Sequence, residues 1–182
     1  MKVALIGCGS IGTTLAKAID AGKAGDVELV WLYDLKPEKI EALAGKLGSK
    51  PKIAKNVDQI YADKVVDLVI EAASQKAVAL YALDILRSGK DLMMMSAGAF
   101  SDDQLLNSVR RESEKTGRRI YVPSGAILGI DGVKGAMLGE IEQVILTTRK
   151  PPAALAYSSY LREHGTNLTE LKKPLLVFEG SA

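Results

Sequence analysis

The residues best placed to do chemistry stand in Gly7-Cys8-Gly9-Ser10-Ile11-Gly12, three glycines spaced so that a turn can pass close to a diphosphate and run straight into a helix. Gly7 permits the tight turn, Gly9 lets the backbone approach the anion, and Gly12 lets the helix sit against the strand before it. Ser10 and Ile11 would offer N–H groups at the positive end of the helix dipole. Three glycines at this spacing also occur in ordinary turns, and the surroundings decide between the two readings. Residues 3–6 read as a short apolar strand, 11–19 as a helix and 27–33 as a second apolar strand. Asp34 then stands about 20 residues beyond Gly12, where an acid grips the adenosine ribose of a dinucleotide. Its charge would repel a 2′-phosphate and favour NAD, while Lys36, two residues on, could soften that preference. NAD and NADP are therefore both expected cofactors.

Other reactive side chains read as structural. Cys8 is the only cysteine, so no internal disulfide and no multi-cysteine metal cluster is expected. It lies inside the glycine turn rather than at a nicotinamide, which disfavours acylating aldehyde chemistry and suggests a packing role. His164, the only histidine, stands in Arg162-Glu163-His164-Gly165-Thr166-Asn167, a polar connector where a solvated ring is expected rather than a general base. Arg149 and Lys150 end an expected strand and could meet a carboxylate, although strand-end cations are more often simply exposed. Met93, Met94 and Met95 are adjacent, and strand residues alternate faces, so they cannot converge on one metal ion.

A scaffold must hold these groups together. With 182 residues the chain has room for one full domain and part of a second. Its 24 Lys and Arg are scattered among 22 Asp and Glu, leaving no basic face for nucleic acid or anionic lipid. No apolar run reaches the length of a membrane span or signal core, so a cytoplasmic protein without membrane or nucleic-acid partners is expected. Beyond Asp34 the pattern predicts a helix from Pro37 stopping at Gly48, a short strand at 52–55 and a polar helix at 56–62. A buried strand follows at 65–71, then a helix at 75–88 capped by Ser74, with Leu80, Leu83 and Leu86 on one face. Next come a strand at 92–95, a helix opened by a Ser101–Gln104 capping box and stopped at Gly117, and a strand at 119–122. Arg110, Arg111, Glu112, Glu114 and Lys115 would form the solvated face of that helix.

Such alternation, about five times over, predicts an α/β fold: a Rossmann-type doubly wound parallel sheet over residues 1–126. Strand ends on one sheet edge gather in space, so the glycine turn, Asp34, Ala72, Ala73, Ser74, Ser96, Gly98 and Ala126 should line one crevice for the cofactor. From 127 to 182 the glycine-rich texture suggests part of a second α/β domain, with helices at 131–138 and 153–161 and strands at 143–149 and 175–179.

The motifs Glu71-Ala72-Ala73-Ser74-Gln75, Ser96-Ala97-Gly98-Ala99-Phe100, Thr116-Gly117-Arg118-Arg119, Ser124-Gly125-Ala126, Leu146-Thr147-Thr148-Arg149-Lys150 and Phe178-Glu179-Gly180-Ser181-Ala182, added to the glycine turn, resemble the L-aspartate dehydrogenase family of the kind that feeds NAD biosynthesis. That resemblance implies oxidation of L-aspartate by NAD or NADP to iminoaspartate, which goes on to quinolinate or hydrolyses to oxaloacetate and ammonia. It also implies a homodimer in which the second α/β domain supplies the dimer sheet and much of the substrate pocket. The backbone at Ala126 would meet the nicotinamide side of the cofactor. Members of the family continue past the Glu-Gly-Ser-Ala segment, and that later part holds a cofactor-contacting asparagine and the catalytic histidine. The expectation is therefore a chain lacking this C-terminal part, with no catalytic residue assigned and with His164 not taking the role. Two alternatives remain open: a dinucleotide-binding module without turnover, and a related amino-acid dehydrogenase such as one acting on homoserine.

Overall fold

In the computed structural model, which describes residues 1–124, 129–156, 158–168, 171 and 173–180, the first apolar run forms β1 (Lys2–Ile6) in the interior of a parallel sheet. The other strands are β2 (Glu28–Tyr33), β3 (Lys52–Ile53), β4 (Leu68–Glu71), β5 (Asp91–Met94) and β6 (Ile120–Tyr121), and the order is β3-β2-β1-β4-β5-β6. All pairings are parallel. Strand order reverses between β1 and β4, and a doubly wound Rossmann-type sheet opens its ligand crevice at that point. Helices α1 (Ser10–Asp20), α2 (Pro37–Ala44), α3 (Asp58–Ala62), α4 (Gln75–Arg87) and α5 (Asp103–Thr116) follow the strands.

Two apolar cores form because the strands are covered on both faces. Val3 and Leu5 pack with Ala16 of α1 and Ile40 and Leu43 of α2, whereas Ala4 and Ile6 pack with Ile60 of α3, Val78 and Ile85 of α4 and Val109 of α5. The adjacent methionines obey the same alternation: Met94 lies in one core and Met93 packs against the other. In β2 that alternation is broken once. Val3 pairs with Leu29 and Ala4 with Trp31, so Val30 is an extra residue in a β-bulge. As a result Val30 and Trp31 pack on the same side of the sheet, and Leu29 and Leu32 share the other.

Several sequence expectations are corrected. α2 ends at Ala44 rather than near Gly48, because the chain turns to bury Leu47 and the Asp20 carboxylate accepts the N–H groups of Gly48 at 3.0 Å and Ser49 at 2.8 Å. Leu80 is 65% exposed, and the inner stripe of α4 is Ala77, Val78, Ala82, Ile85 and Leu86. A step of three residues drifts by about 60° around a helix, so 80, 83 and 86 do not share one face. α5 is capped by Asp102, which accepts from the N–H of Gln104 at 2.9 Å and of Leu105 at 3.1 Å. Ser101 instead closes a preceding 3-10 turn (Ala97–Ser101), its hydroxyl donating to the Gly98 carbonyl. Glu112 is buried between α4 and α5 and accepts from Arg87 at 3.2 Å, so it is not part of a solvated face.

The chain divides into two units, Met1–Ile130 and Asp131–Ala182. α6 (Ile130–Ala136) starts at the last residue of the first unit and lies otherwise in the second, which also holds α7 (Pro152–Leu155) and α8 (Ser159–Glu163). The expected helix at 153–161 is thus two pieces, with Ser158 capping the second by accepting from the Leu161 N–H. The expected strands at 143–149 and 175–179 do not form among the described residues. β-rich composition makes a strand only where a neighbour completes the ladder, and here Val144, Ile145, Leu146, Leu176 and Phe178 stay exposed.

Candidate functional site

The turn leaving β1 is fitted between two neighbouring strand ends. Gly7 has φ +102°, and a Cβ there would lie 2.6 Å from the Ala72 carbonyl group and 2.7 Å from the Ala73 nitrogen. Its N–H donates to the Tyr33 carbonyl at 2.8 Å, tying the turn to the end of β2 as well. Gly12 is buried, and a Cβ on it would run into the Gly7 carbonyl oxygen. Gly9 is different, because nothing lies within 4 Å of where its Cβ would be.

Open space over Gly9 coincides with free donors. The first N–H groups of a helix have no intrahelical carbonyl to reach, and Gly9, as the N-cap of α1, has no side chain to serve them. No acidic residue stands in that first turn, whereas α2 and α5 carry Glu38 and Asp103 there. The main-chain ladder begins with Thr13, whose N–H reaches the Gly9 carbonyl at 2.8 Å, leaving the N–H groups of Ser10, Ile11 and Gly12 without an intrahelical carbonyl.

Asp34 lies beside this turn. Its Oδ2 accepts from the Cys8 N–H at 2.8 Å and its Oδ1 from the Lys36 N–H at 2.9 Å. Each oxygen keeps a lone pair, so the partly buried carboxylate can still accept from a ribose diol. On the other side of β1 lie the chains leaving β4 and β5. Ala72 donates to the Ile6 carbonyl, Ser74 caps α4 by accepting from Ala77, and a Cβ on Gly98 would meet the Gln75 side-chain amide. The structure thus brings Gly7, Gly9, Ser10, Ile11, Gly12, Asp34, Ala72, Ala73, Ser74, Ser96 and Gly98 to one edge of the sheet, while Ala126 lies outside the described residues. Glu71, which underlies two of these loops, escaped the sequence reading. The available signal was a carboxylate at the last position of an otherwise apolar buried strand.

Cys8 is buried, with its Sγ 3.8 Å from the Tyr33 carbonyl oxygen. Burial first, and then the Asp34 charge, push its thiol up from 9.0 to about 12, which keeps it protonated and poorly nucleophilic. Between those values the unfolded chain releases the thiol proton and the folded chain keeps it, so stability falls as pH rises through that window. Thermal melting at about pH 8 and about pH 10 should therefore show a larger alkaline drop for the wild type than for Cys8→Ala. Equal drops would contradict the buried thiol. In the second unit, the exposed His164 stacks on Tyr160 with ring centroids 4.1 Å apart, and Arg149 and Lys150 are exposed. Among the described residues no helix is long and apolar enough to cross a membrane.

Comparison with known proteins divides the chain in a consistent way. The homoserine dehydrogenase NAD-binding domain pattern matches residues 7–123, and the aspartate dehydrogenase C-terminal pattern matches residues 131–182. An L-aspartate dehydrogenase of Methanococcus maripaludis strain S2 is 41% identical over 181 residues, covering 100% of this chain and 66% of that one. The chain belongs to the L-aspartate dehydrogenase family. Family members from Methanosarcina mazei (38% over 182 residues, 100% of this chain) and Methanocaldococcus jannaschii (39% over 180 residues, 99% of this chain) are likewise covered to 66%. The chain thus spans 66% of the length of these family members.

Solved structures show the same fold as the first unit. The WlbA dehydrogenase from Chromobacterium violaceum, in complex with NADH and UDP-GlcNAcA, superposes with a TM-score of 0.63 at 17% identity, covering 76% of this chain and 39% of that one. An NAD-binding protein from Listeria innocua gives 0.57 at 22% identity, covering 66% and 33%. Within the family frame, residues 7–123 are an NAD-binding domain.

Proposed function

We propose that this chain carries the cofactor-binding part of an NAD(P)-dependent oxidation of L-aspartate to iminoaspartate, a product able to enter quinolinate synthesis or to hydrolyse to oxaloacetate and ammonia. The single observation that supports it most is the Asp34 carboxylate held by the Cys8 N–H beside a glycine turn that is open over Gly9. Residues 1–126 are assigned to the dinucleotide. The turn at Gly7, Gly9 and Gly12, with the N–H groups of Ser10 and Ile11, would hold the diphosphate, and Asp34 the adenosine ribose. Ala72, Ala73, Ser74, Ser96, Gly98 and Ala126 would border the second nucleotide. Bound there, the nicotinamide supplies the acceptor for the hydride that leaves the amino-acid Cα.

Asp34 favours NAD, and the exposed Lys36 beside it supports some use of NADP. Residues 127–182 are assigned to the substrate and dimer side of a cytoplasmic homodimer. The exposed Val144, Ile145, Leu146 and Phe178 of the second unit support that assignment, since such residues favour burial against a partner. No group of this chain is assigned to proton transfer.

The test is NADH formation at 340 nm on adding L-aspartate, with L-homoserine and D-aspartate as controls and NADH binding measured by fluorescence on the same sample. NADH binding is expected, and aspartate-dependent reduction on the same sample would extend the assignment from the cofactor site to turnover. A chain that does not bind NADH overturns the nucleotide assignment, and faster turnover of homoserine overturns the substrate.

A further inference from the structure

We infer that Glu71 is a positioning residue for the nicotinamide half of the cofactor, acting through the two loops its carboxylate joins. The inference rests on the NAD reading above. Glu71 ends β4 with 1% of its surface exposed, so it cannot itself touch a bound molecule. Its Oε1 accepts from the N–H of Ala73 at 2.7 Å, the N–H of Ser74 at 2.8 Å and the hydroxyl of Ser96 at 3.0 Å. Its Oε2 accepts from the N–H of Ser96 at 3.2 Å. One carboxylate therefore takes four donors from the chains leaving β4 and β5.

A buried carboxylate is costly unless every lone pair is used, and a neutral acceptor could close either loop alone. What the charge adds is a stiff link between the two. Sheet order gives that link its function: Asp34 directly follows β2 on one side of β1, so a dinucleotide whose diphosphate lies over the β1 turn must carry its second half across β4 and β5. Charge-assisted hydrogen bonds are short and directional, and here they set the spacing of the surface on which that half would rest.

Glu71→Gln keeps the size and one acceptor oxygen, but its amide must aim a donor at the Ser96 N–H, so the damage falls on the β5 loop. Ser96→Ala removes only the hydroxyl. The dissociation constants of NADH and of ADP, which lacks the nicotinamide nucleoside, are measured for the wild-type chain and both variants, together with melting temperatures. NADH affinity should fall about tenfold in Glu71→Gln and about threefold in Ser96→Ala, with ADP affinity changed by less than about twofold. Equal loss for NADH and ADP, or no loss for NADH, would overturn the assignment. Should Glu71→Gln fail to fold, the Ser96→Ala pair of constants decides by the same criterion. Wild-type chain that binds neither ligand would overturn the NAD reading itself, whereas wild-type binding with unaltered variants overturns only the role of Glu71.

Discussion

Gly9→Val is expected to weaken NADH binding by about a hundredfold or more while moving the melting temperature by only a few degrees. The position has ordinary extended backbone angles and empty space around its missing side chain, so valine fits the protein and fills the room that the proposed function gives to the diphosphate. Gly12→Val should act in the opposite order. Its side chain would drive into the Gly7 carbonyl oxygen and lie against Leu5, and a main-chain oxygen held in a turn cannot rotate away. Overpacking of this kind costs about 3 kcal/mol, a large share of a typical domain's total stability of about 5–15 kcal/mol. Melting curves and NADH titrations on both variants separate the two effects. A Gly9→Val protein that binds NADH as the wild type does would show that the ligand does not pass over this turn.

A second large effect is expected at Asp34. Asp34→Ser should shift the ratio of NADPH to NADH affinity by about a hundredfold toward NADPH, chiefly by weakening NADH. The carboxylate would accept from the ribose hydroxyls and repel a 2′-phosphate, and its removal reverses both terms while leaving the exposed Lys36 to meet the phosphate. Some stability is lost too, since the Cys8 N–H loses its acceptor, at about 1 kcal/mol. An unchanged ratio, measured by titration with both reduced cofactors, would remove Asp34 from the ribose site.

What the sequence made legible was local. The glycine turn, the Ser74 cap, the left-handed stop at Gly117 and the alternation of Met93 and Met94 each depend on residues within a few positions of one another, where chain geometry leaves few choices. Glu112 and Lys90 show the limit. Glu112 sits in a run of charges that reads as solvated, and only the approach of α4 brings Arg87 within 3.2 Å. Lys90 is 2% exposed, its amine donating to the Tyr61 carbonyl at 3.0 Å, with burial pushing its pKa below the usual range. Nothing near Gly89 in the chain announces that. Glu71 belongs with them, because its partners on the β5 loop are distant in sequence and close only in the sheet. The unpaired segments at 143–149 and 175–179 failed for a related reason: their composition favours strands, but pairing is a property of neighbours.

The bulge in β2 has a bearing on length. Because Val30 and Trp31 occupy one step of the ladder, the residues after them keep phase with β1 although β2 contains one more residue. Val30 is therefore a removable beat: without it, Leu29, Trp31, Leu32 and Tyr33 would alternate in strict time and Asp34 would arrive at the same address. Loss of Leu32 could be absorbed only by flattening the bulge: Asp34 would keep its place, but Trp31 would be turned from one core to the other.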